Sequence, residues 1–239
     1  MKLVAIVPAY NAARHLPDVI GRIVAARPPD LLRTVIVDDG SSDDTIRVAQ
    51  GLAKTTPGIE VVIRPRNGGY GAAMKTGLEV AHALGADRAA SVHADGQYSP
   101  EALSSLLAAL DERRLDLLQG SRIAGGQARA GGMPLYKLAG NWVLGKLERR
   151  ILGLPMTDFH SGYLVYGRRA LAEIPFAQLS DSFDFDLEVI AAARARGLAV
   201  GEAPIPTHYG DEISHLNPMT YGLRVLRVLW RFKRGSYGV

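Results

Sequence analysis

The chain has no cysteine in 239 residues, which excludes disulfides and thiolate chemistry and makes a reducing cytoplasm the expected setting. No apolar run approaches the ~18 residues that a membrane-spanning helix needs. The opening apolar stretch is broken at Pro8, too early for the core of a signal segment. Internal repeats and low-complexity tracts are absent too. Excess positive charge is missing from most of the length. The net charge is +4, but Arg224, Arg227, Arg231, Lys233 and Arg234 lie in residues 219–239 without an acid, so the first 218 residues carry −1. Nucleic acid is therefore not an expected partner.

What is present is the composition of a globular protein, 47% hydrophobic and 22% charged, long enough for one large domain with or without an appendage. Short apolar, β-branched runs at 3–7, 34–37, 59–63, 89–92 and 115–118 read as strands. Helical patterns separate them at 16–26, from Asp43 or Asp44 as cap to about 54, at 70–84, and after Ser99-Pro100-Glu101. That alternation predicts an α/β fold, a mostly parallel sheet with helices on both faces. After a Gly-rich basic loop at 125–132, the pattern predicts a long helix over 135–152, a strand over 161–166, a helix over 185–195, a short strand over 198–200 and extended chain at 204–206. This shift at the midpoint divides a single domain, residues 1–216, into a nucleotide-binding half (1–122) and an acceptor half (123–216), with a C-terminal segment at 217–239.

Two of the predicted strands end on acids, in Val37-Asp38-Asp39-Gly40-Ser41 and in Val92-His93-Ala94-Asp95-Gly96-Gln97. Ligands of open α/β sheets bind at the carboxyl ends of strands. Two acidic ends suit a ligand with two parts, a nucleoside read by hydrogen bonds and a diphosphate bridged through a divalent metal. Alone, either Asp also reads as a turn former or helix cap.

Pro8-Ala9-Tyr10-Asn11, the block from Asp38 to Thr45, Arg66-Asn67-Gly68-Gly69, Asp95-Gly96-Gln97 and Gly120-Ser121-Arg122 follow one another in the order seen in family 2 glycosyltransferases. Asp158-Phe159-His160-Ser161-Gly162-Tyr163, Phe185-Asp186-Leu187-Glu188 and Glu202-Ala203-Pro204-Ile205 narrow the resemblance to the polyprenyl-phosphate sugar synthases, similar to the catalytic domain of dolichyl-phosphate mannose synthase. It covers residues 2–216. The resemblance implies a GT-A fold, a nucleotide-diphosphate sugar as donor (GDP-mannose or a UDP-hexose), Mg2+ or Mn2+, a polyprenyl phosphate as acceptor, and inversion at the anomeric carbon. The same donor with a soluble or protein hydroxyl acceptor is a second reading. A catalytically silent nucleotide-sugar-binding protein is a third, prompted by His93 and Ala12.

By that resemblance, Pro8, Tyr10 and Asp39 hold the nucleoside. Ala12 stands where the family commonly has an acid. Arg66, Asn67 and Gly68 open a helix whose first N–H groups could face an anion; equally, the glycines allow a tight strand-to-helix connection. The family writes Asp-x-Asp at the metal, and this chain has His93-Ala94-Asp95. Asp95 with Gln97 can carry magnesium beside substrate phosphates. His93 could coordinate, favouring manganese or softer metals, or hydrogen-bond the diphosphate. Arg122 matches the arginine of the family's Gly-Ser-Arg motif and could pair bidentately with phosphate, Lys137 falls near another basic position, and Arg129 is a weaker candidate. Asp158 and Glu188 match acidic positions that could orient the clamp or act as base.

At about 100° per residue, Arg224, Arg227, Arg231 and Arg234 gather on one side of a C-terminal helix. Met219, Leu223, Leu226, Leu229 and Trp230 spread over another, widened by Val225, Val228 and Phe232, with Lys233 among them. A basic amphipathic helix of this kind suits an anionic membrane surface and predicts a peripheral location at the inner face of the membrane. Otherwise the apolar arc packs on the domain and the arginines are solvated.

Overall fold

The computed structural model describes residues 1–125, 135–206 and 218–238, with the backbone alone for 135–141, 143, 218 and 219. The Gly-rich loop from residue 126 onward, including Arg129, lies outside the described residues, as do the side chains of Lys137 and Met219.

Seven strands form one sheet: β1 (Leu3–Ala9), β2 (Leu31–Asp38), β3 (Ile59–Ile63), β4 (Arg88–Ser91), β5 (Leu117–Ser121), β6 (Leu164–Tyr166) and β7 (Val200–Pro204). Their order is β3-β2-β1-β4-β6-β5-β7. All pairs are parallel except those of β6, which runs antiparallel to β4 and β5. The helices are α1 (Leu16–Ala26), α2 (Thr45–Thr55), α3 (Tyr70–Ala83), α4 (Leu103–Glu112), α5 (Leu135–Leu152), α6 (Arg168–Glu173), α7 (Phe185–Ala195) and α8 (Pro218–Lys233).

Strand alternation separates two cores. Leu3, Val7, Ile36, Val92 and Leu118 face α1, α2 and α4, while Val4, Ile6, Val35, Val37 and Leu117 face α3, α7 and the helices around them. Within α1, the stripe Leu16, Val19, Ile20 and Ile23 is fully buried, at the i, i+3, i+4, i+7 spacing of a single face. Each such side chain contributes roughly 1.5–3 kcal/mol of burial, so Ile20→Ala would cost about 2–5 kcal/mol. Ser99 does not cap a helix with its side chain. It hydrogen-bonds Glu101 across a short 3-10 turn, Pro100–Ala102, that precedes α4. Likewise Asp44 caps α2 by position only, its carboxylate turning to Arg47 at 2.8 Å.

Helix α8 divides its surface three ways rather than two. Val225, Val228 and Leu229 are buried against the domain. Two of the four arginines on the expected basic side are paired with acids at the start of α7, Arg224 with Asp184 at 3.1 Å and Arg231 with Glu188. Leu223, Leu226 and Trp230 remain exposed, beside Arg227 and Arg234. Among the described residues no helix is long and apolar enough to cross a membrane.

Candidate active site

The parallel strands all end at one edge of the sheet. Gathered there are residues 10–12 after β1, 38–42 after β2, 64–69 after β3, 92–97 after β4 and 122–124 after β5, together with residues 158–163 before β6.

At the β2 end the backbone is folded around carboxylates. Asp38 Oδ2 accepts the N–H groups of Gly40 and Ser41, each at 3.1 Å. Asp39 is buried, receives N–H bonds from Gly68 at 3.0 Å and Gly69 at 2.8 Å, and pairs with Arg64. The Gly-rich turn thus aims its first N–H groups at a protein carboxylate. Gly40, with φ +69°, lies so close to the Arg66–Asn67 backbone that a Cβ there would sit 2.6 Å from it. The turn also presses on the segment before α7: a Cβ on Gly69 or Gly71 would meet the carbonyls of Asp181 or Ser180 at 2.5 and 2.3 Å. Of the two readings of these glycines, tight approach is the one the structure displays. The segment after β1 is tied to the same block by Asn11 N–H to Ser41 Oγ (2.9 Å) and Ala12 N–H to Thr45 Oγ1 (2.8 Å). Where an acid at position 12 would stand, Ala12 is buried. Tyr10 stays half-exposed over this edge, and Arg66 and Asn67 are exposed.

The β4 end is less committed. Asp95 Oδ1 accepts the Gln97 N–H at 3.0 Å, and both residues remain partly accessible. His93 lies between Tyr70 and Tyr98, ring centroids 5.3 and 4.9 Å away, with Nε2 3.3 Å from the Gly162 carbonyl. Burial is the largest influence on His93 and lowers its pKa; Asp95 opposes this and Arg122 adds to it. Among the described residues no three His, Cys, Asp or Glu side chains converge as a metal cage. One carboxylate completed by substrate phosphates is nevertheless a donor set that suits Mg2+ or Mn2+, and Asp95 fits it.

At the β5 end, Arg122 meets Asp158 as a fork, Nε–Oδ2 2.7 Å and Nη2–Oδ1 2.9 Å. Asp158 is fully buried. Burial works to raise its pKa, but Arg122's charge and hydrogen bonds, with the His160 N–H, outweigh it and hold the carboxyl below its usual range. His160 in turn lies 2.9 Å from the Tyr221 hydroxyl through Nδ1 and 3.2 Å from buried Glu148 through Nε2. The Glu148 contact is at ion-pair distance without hydrogen-bond geometry.

Glu188 does not join this group. Its carboxylate is spent on Ser180 N–H at 2.6 Å, the Tyr237 hydroxyl at 2.5 Å and Arg231, where it holds the C-terminal segment down. The acid of α7 that turns toward the site is Asp186, two residues earlier. Buried beside Gly162, it accepts from the Tyr70 hydroxyl at 3.2 Å. Burial pushes its carboxyl up to about 8, with the Tyr70 bond opposing. Lys137 lies on α5, its side chain outside those described. Asp186 and His160 stood within the quoted motifs without a role of their own, and Tyr70, Arg64 and Tyr221 were not singled out as site residues. A helix advances about 100° per residue, so only one of Asp186 and Glu188 can face the site, and spacing alone could not choose between them.

The profile of glycosyl transferase family 2 matches residues 4–175. The chain belongs to this family. The glycosyltransferase is 33% identical over 207 residues to the polyprenol monophosphomannose synthase of Mycolicibacterium smegmatis, covering 85% of this chain and 76% of that one. It is 28% identical over 244 residues to the UDP-N-acetylglucosamine–dolichyl-phosphate N-acetylglucosaminyltransferase of Methanococcus voltae, covering 97% and 96%. Among solved structures, glucosyl-3-phosphoglycerate synthase of Mycobacterium tuberculosis with Mn2+, uridine diphosphate and glucosyl-3-phosphoglycerate superimposes with a TM-score of 0.65 at 17% identity, over 97% of this chain and 79% of that one. That likeness is one of fold, and it bears out the GT-A expectation.

Proposed function

We propose that this glycosyltransferase moves a hexose from GDP-mannose or a UDP-hexose to a polyprenyl phosphate, inverting the anomeric carbon with Mg2+ or Mn2+ at Asp95. The observation that carries this reading is the Arg122–Asp158 fork, a partly buried guanidinium oriented by a fully buried carboxylate at the same sheet edge as His93 and Asp95. An oriented guanidinium suits a phosphate group, and the phosphomannose synthase of M. smegmatis, by its name, makes a polyprenol monophosphate sugar.

In this reading Pro8, Tyr10 and Asp39 shape the nucleoside pocket, with residues 66–68 as its rim. Asp95, steadied by Gln97, faces the diphosphate. A divalent cation there would neutralise charge on the departing nucleotide diphosphate. Arg122, oriented by Asp158, holds the acceptor phosphate with help from Lys137. The acceptor oxygen forms its bond to the anomeric carbon as the bond from that carbon to the diphosphate breaks. A phosphate oxygen is already anionic near neutral pH, so the attacking atom has no proton to lose. Residues 1–122 then serve the donor and 123–216 the acceptor. The exposed Leu223, Leu226 and Trp230 beside Arg227 and Arg234 suit the surface of an anionic membrane, where such a lipid resides.

The test is a thermal-shift panel of nucleotide sugars with Mg2+ or Mn2+, followed by transfer to polyprenyl phosphate in vesicles. The true donor at ~100-fold its dissociation constant should stabilise by about 2.7 kcal/mol. Transfer to hydroxyl acceptors but not to the lipid phosphate would overturn the acceptor assignment.

A further inference from the structure

We propose that Asp186 and Tyr70 are positioning residues for His93, fixing its ring so that Nε2 carries the proton and Nδ1 is left as a nitrogen ligand for the divalent cation. The inference rests on the metal-dependent reading above and adds two residues to it.

The tautomer follows from the partner. A carbonyl oxygen only accepts, so His93 Nε2, 3.3 Å from the Gly162 carbonyl, must donate. In a neutral ring the proton is then on Nε2 and the lone pair on Nδ1. Histidines that bind metals characteristically anchor their other N–H on a carbonyl or carboxylate in this way. Two aromatic rings also pack on the imidazole, Tyr70 tilted at 47° and Tyr98 nearly perpendicular at 84°.

The anchor itself has to be held. Gly162 has φ +73°, and a Cβ at that position would lie 2.6 Å from His93 Nε2 and 3.2 Å from Asp186 Oδ2. The imidazole and the Asp186 carboxyl therefore close on the same glycine, leaving no room for a side chain between them. The Tyr70 hydroxyl ties the parts together, 3.4 Å from the Gly162 carbonyl, 3.2 Å from Asp186 Oδ1 and 3.3 Å from Ser91 Oγ at the end of β4. Tyr70 comes from the first turn of α3, Asp186 from the first turn of α7 and Ser91 from the strand that delivers His93. Three elements thus converge on one hydroxyl, behind the ring that replaces the first acid of Asp-x-Asp.

The experiment follows Mn2+ binding by electron paramagnetic resonance, with uridine diphosphate and guanosine diphosphate as separate probes. Wild type should show nitrogen modulation in the spin echo of bound Mn2+, and His93→Gln should lose it. Tyr70→Phe, which removes one oxygen, and Asp186→Leu, which removes the acceptor at similar volume, should each weaken Mn2+ binding by about 10- to 100-fold. Nucleotide affinity without metal and the circular dichroism should stay unchanged. In the His93→Gln background neither change should cost anything more, because both act through the ring. No nitrogen signal in wild type, or full additional losses in that background, overturns the proposal. If Asp95→Asn binds Mn2+ as tightly as wild type, the underlying metal assignment falls and the proposal falls with it. Asp95→Asn losing the metal while Tyr70→Phe and Asp186→Leu keep full affinity overturns the proposal alone.

Discussion

The ends of β2 and β4 flank β1 and both carry aspartates, yet they use them in opposite ways. At β2, Asp38 and Asp39 accept four backbone N–H groups between them, and Asp39 also holds Arg64. At β4, Asp95 accepts a backbone N–H from Gln97 and stays partly accessible. A buried carboxylate ringed by N–H donors is costly to disturb and shapes the chain around it. One left open to solvent is available to a ligand. The β2 end is therefore built as a wall, while the β4 end keeps a carboxylate accessible, which is where the proposed reading puts the chemistry.

Asp95→Asn tests the exposed end most severely. Transfer should fall a thousandfold or more, about 4 kcal/mol of transition-state stabilisation, with the melting temperature unchanged. Retention of more than a tenth of the wild-type rate would erase the distinction. Arg122→Ala sits between the two types, since it removes a proposed phosphate clamp and also strands Asp158. Breaking such a buried pair should cost about 3 kcal/mol of stability, read by urea denaturation, and Arg122→Ala with Asp158→Asn should recover much of it.

Asp39→Ala probes the wall. It leaves the Gly68 N–H and Arg64 without their acceptor and the Gly69 N–H with Asn67 Oδ1 alone, so the fold should lose about 2 kcal/mol while nucleotide diphosphate affinity falls. Calorimetry showing full affinity, with only stability lost, would make Asp39 purely architectural. The smallest effect concerns the anchor beyond Asp95, where Glu101 meets Arg22 in a fork at 2.8 Å. Arg22's side-chain hydrogen bonds, against burial, hold Glu101 at about 2, below its ordinary 4.5. A depressed carboxyl stabilises fully above its ordinary value and loses that contribution as pH falls toward the folded value. The melting-temperature gap between wild type and Arg22→Gln should accordingly be constant above pH 4.5 and close as pH falls to 2. A gap that persists at pH 2 would mean the pair acts by packing alone.

Sequence periodicity located most strands because each core-facing set alternates cleanly, as in Val4 and Ile6 against Leu3 and Val7. It expected β2 from residue 34, missing Leu31–Arg33, because Arg33 interrupts the apolar run and the two leucines before it are not β-branched and are only half-buried or exposed. The direction of β6 was hidden because three buried residues read the same both ways. Helix α6 is only six residues long, too short to display a period. Near the sheet edge, positions fixed by local motif spacing were legible: Asp39 and Arg122 directly follow their strands, and Asp95 lies four residues beyond β4. Illegible were partners supplied by distant chain, such as Tyr70 for Asp186 and His160 for Tyr221, which lie 116 and 61 residues apart. The tail shows the same limit. Its faces could be drawn from a helical wheel, but which arginines turn inward depended on Asp184 and Glu188 of α7.

The chain has two tryptophans, and both stand on outer helix surfaces, Trp142 of α5 63% exposed and Trp230 of α8 53% exposed. Each has a cation over its ring one turn on, Lys146 at 5.5 Å and Arg234 at 4.0 Å. Tryptophan emission, excited beyond the tyrosine band, is therefore a report on α5 and α8, silent on the sheet core. It should begin red-shifted and open to iodide, and lipid contact would shift it blue and shield it, so the surface carries its own optical label without any added dye.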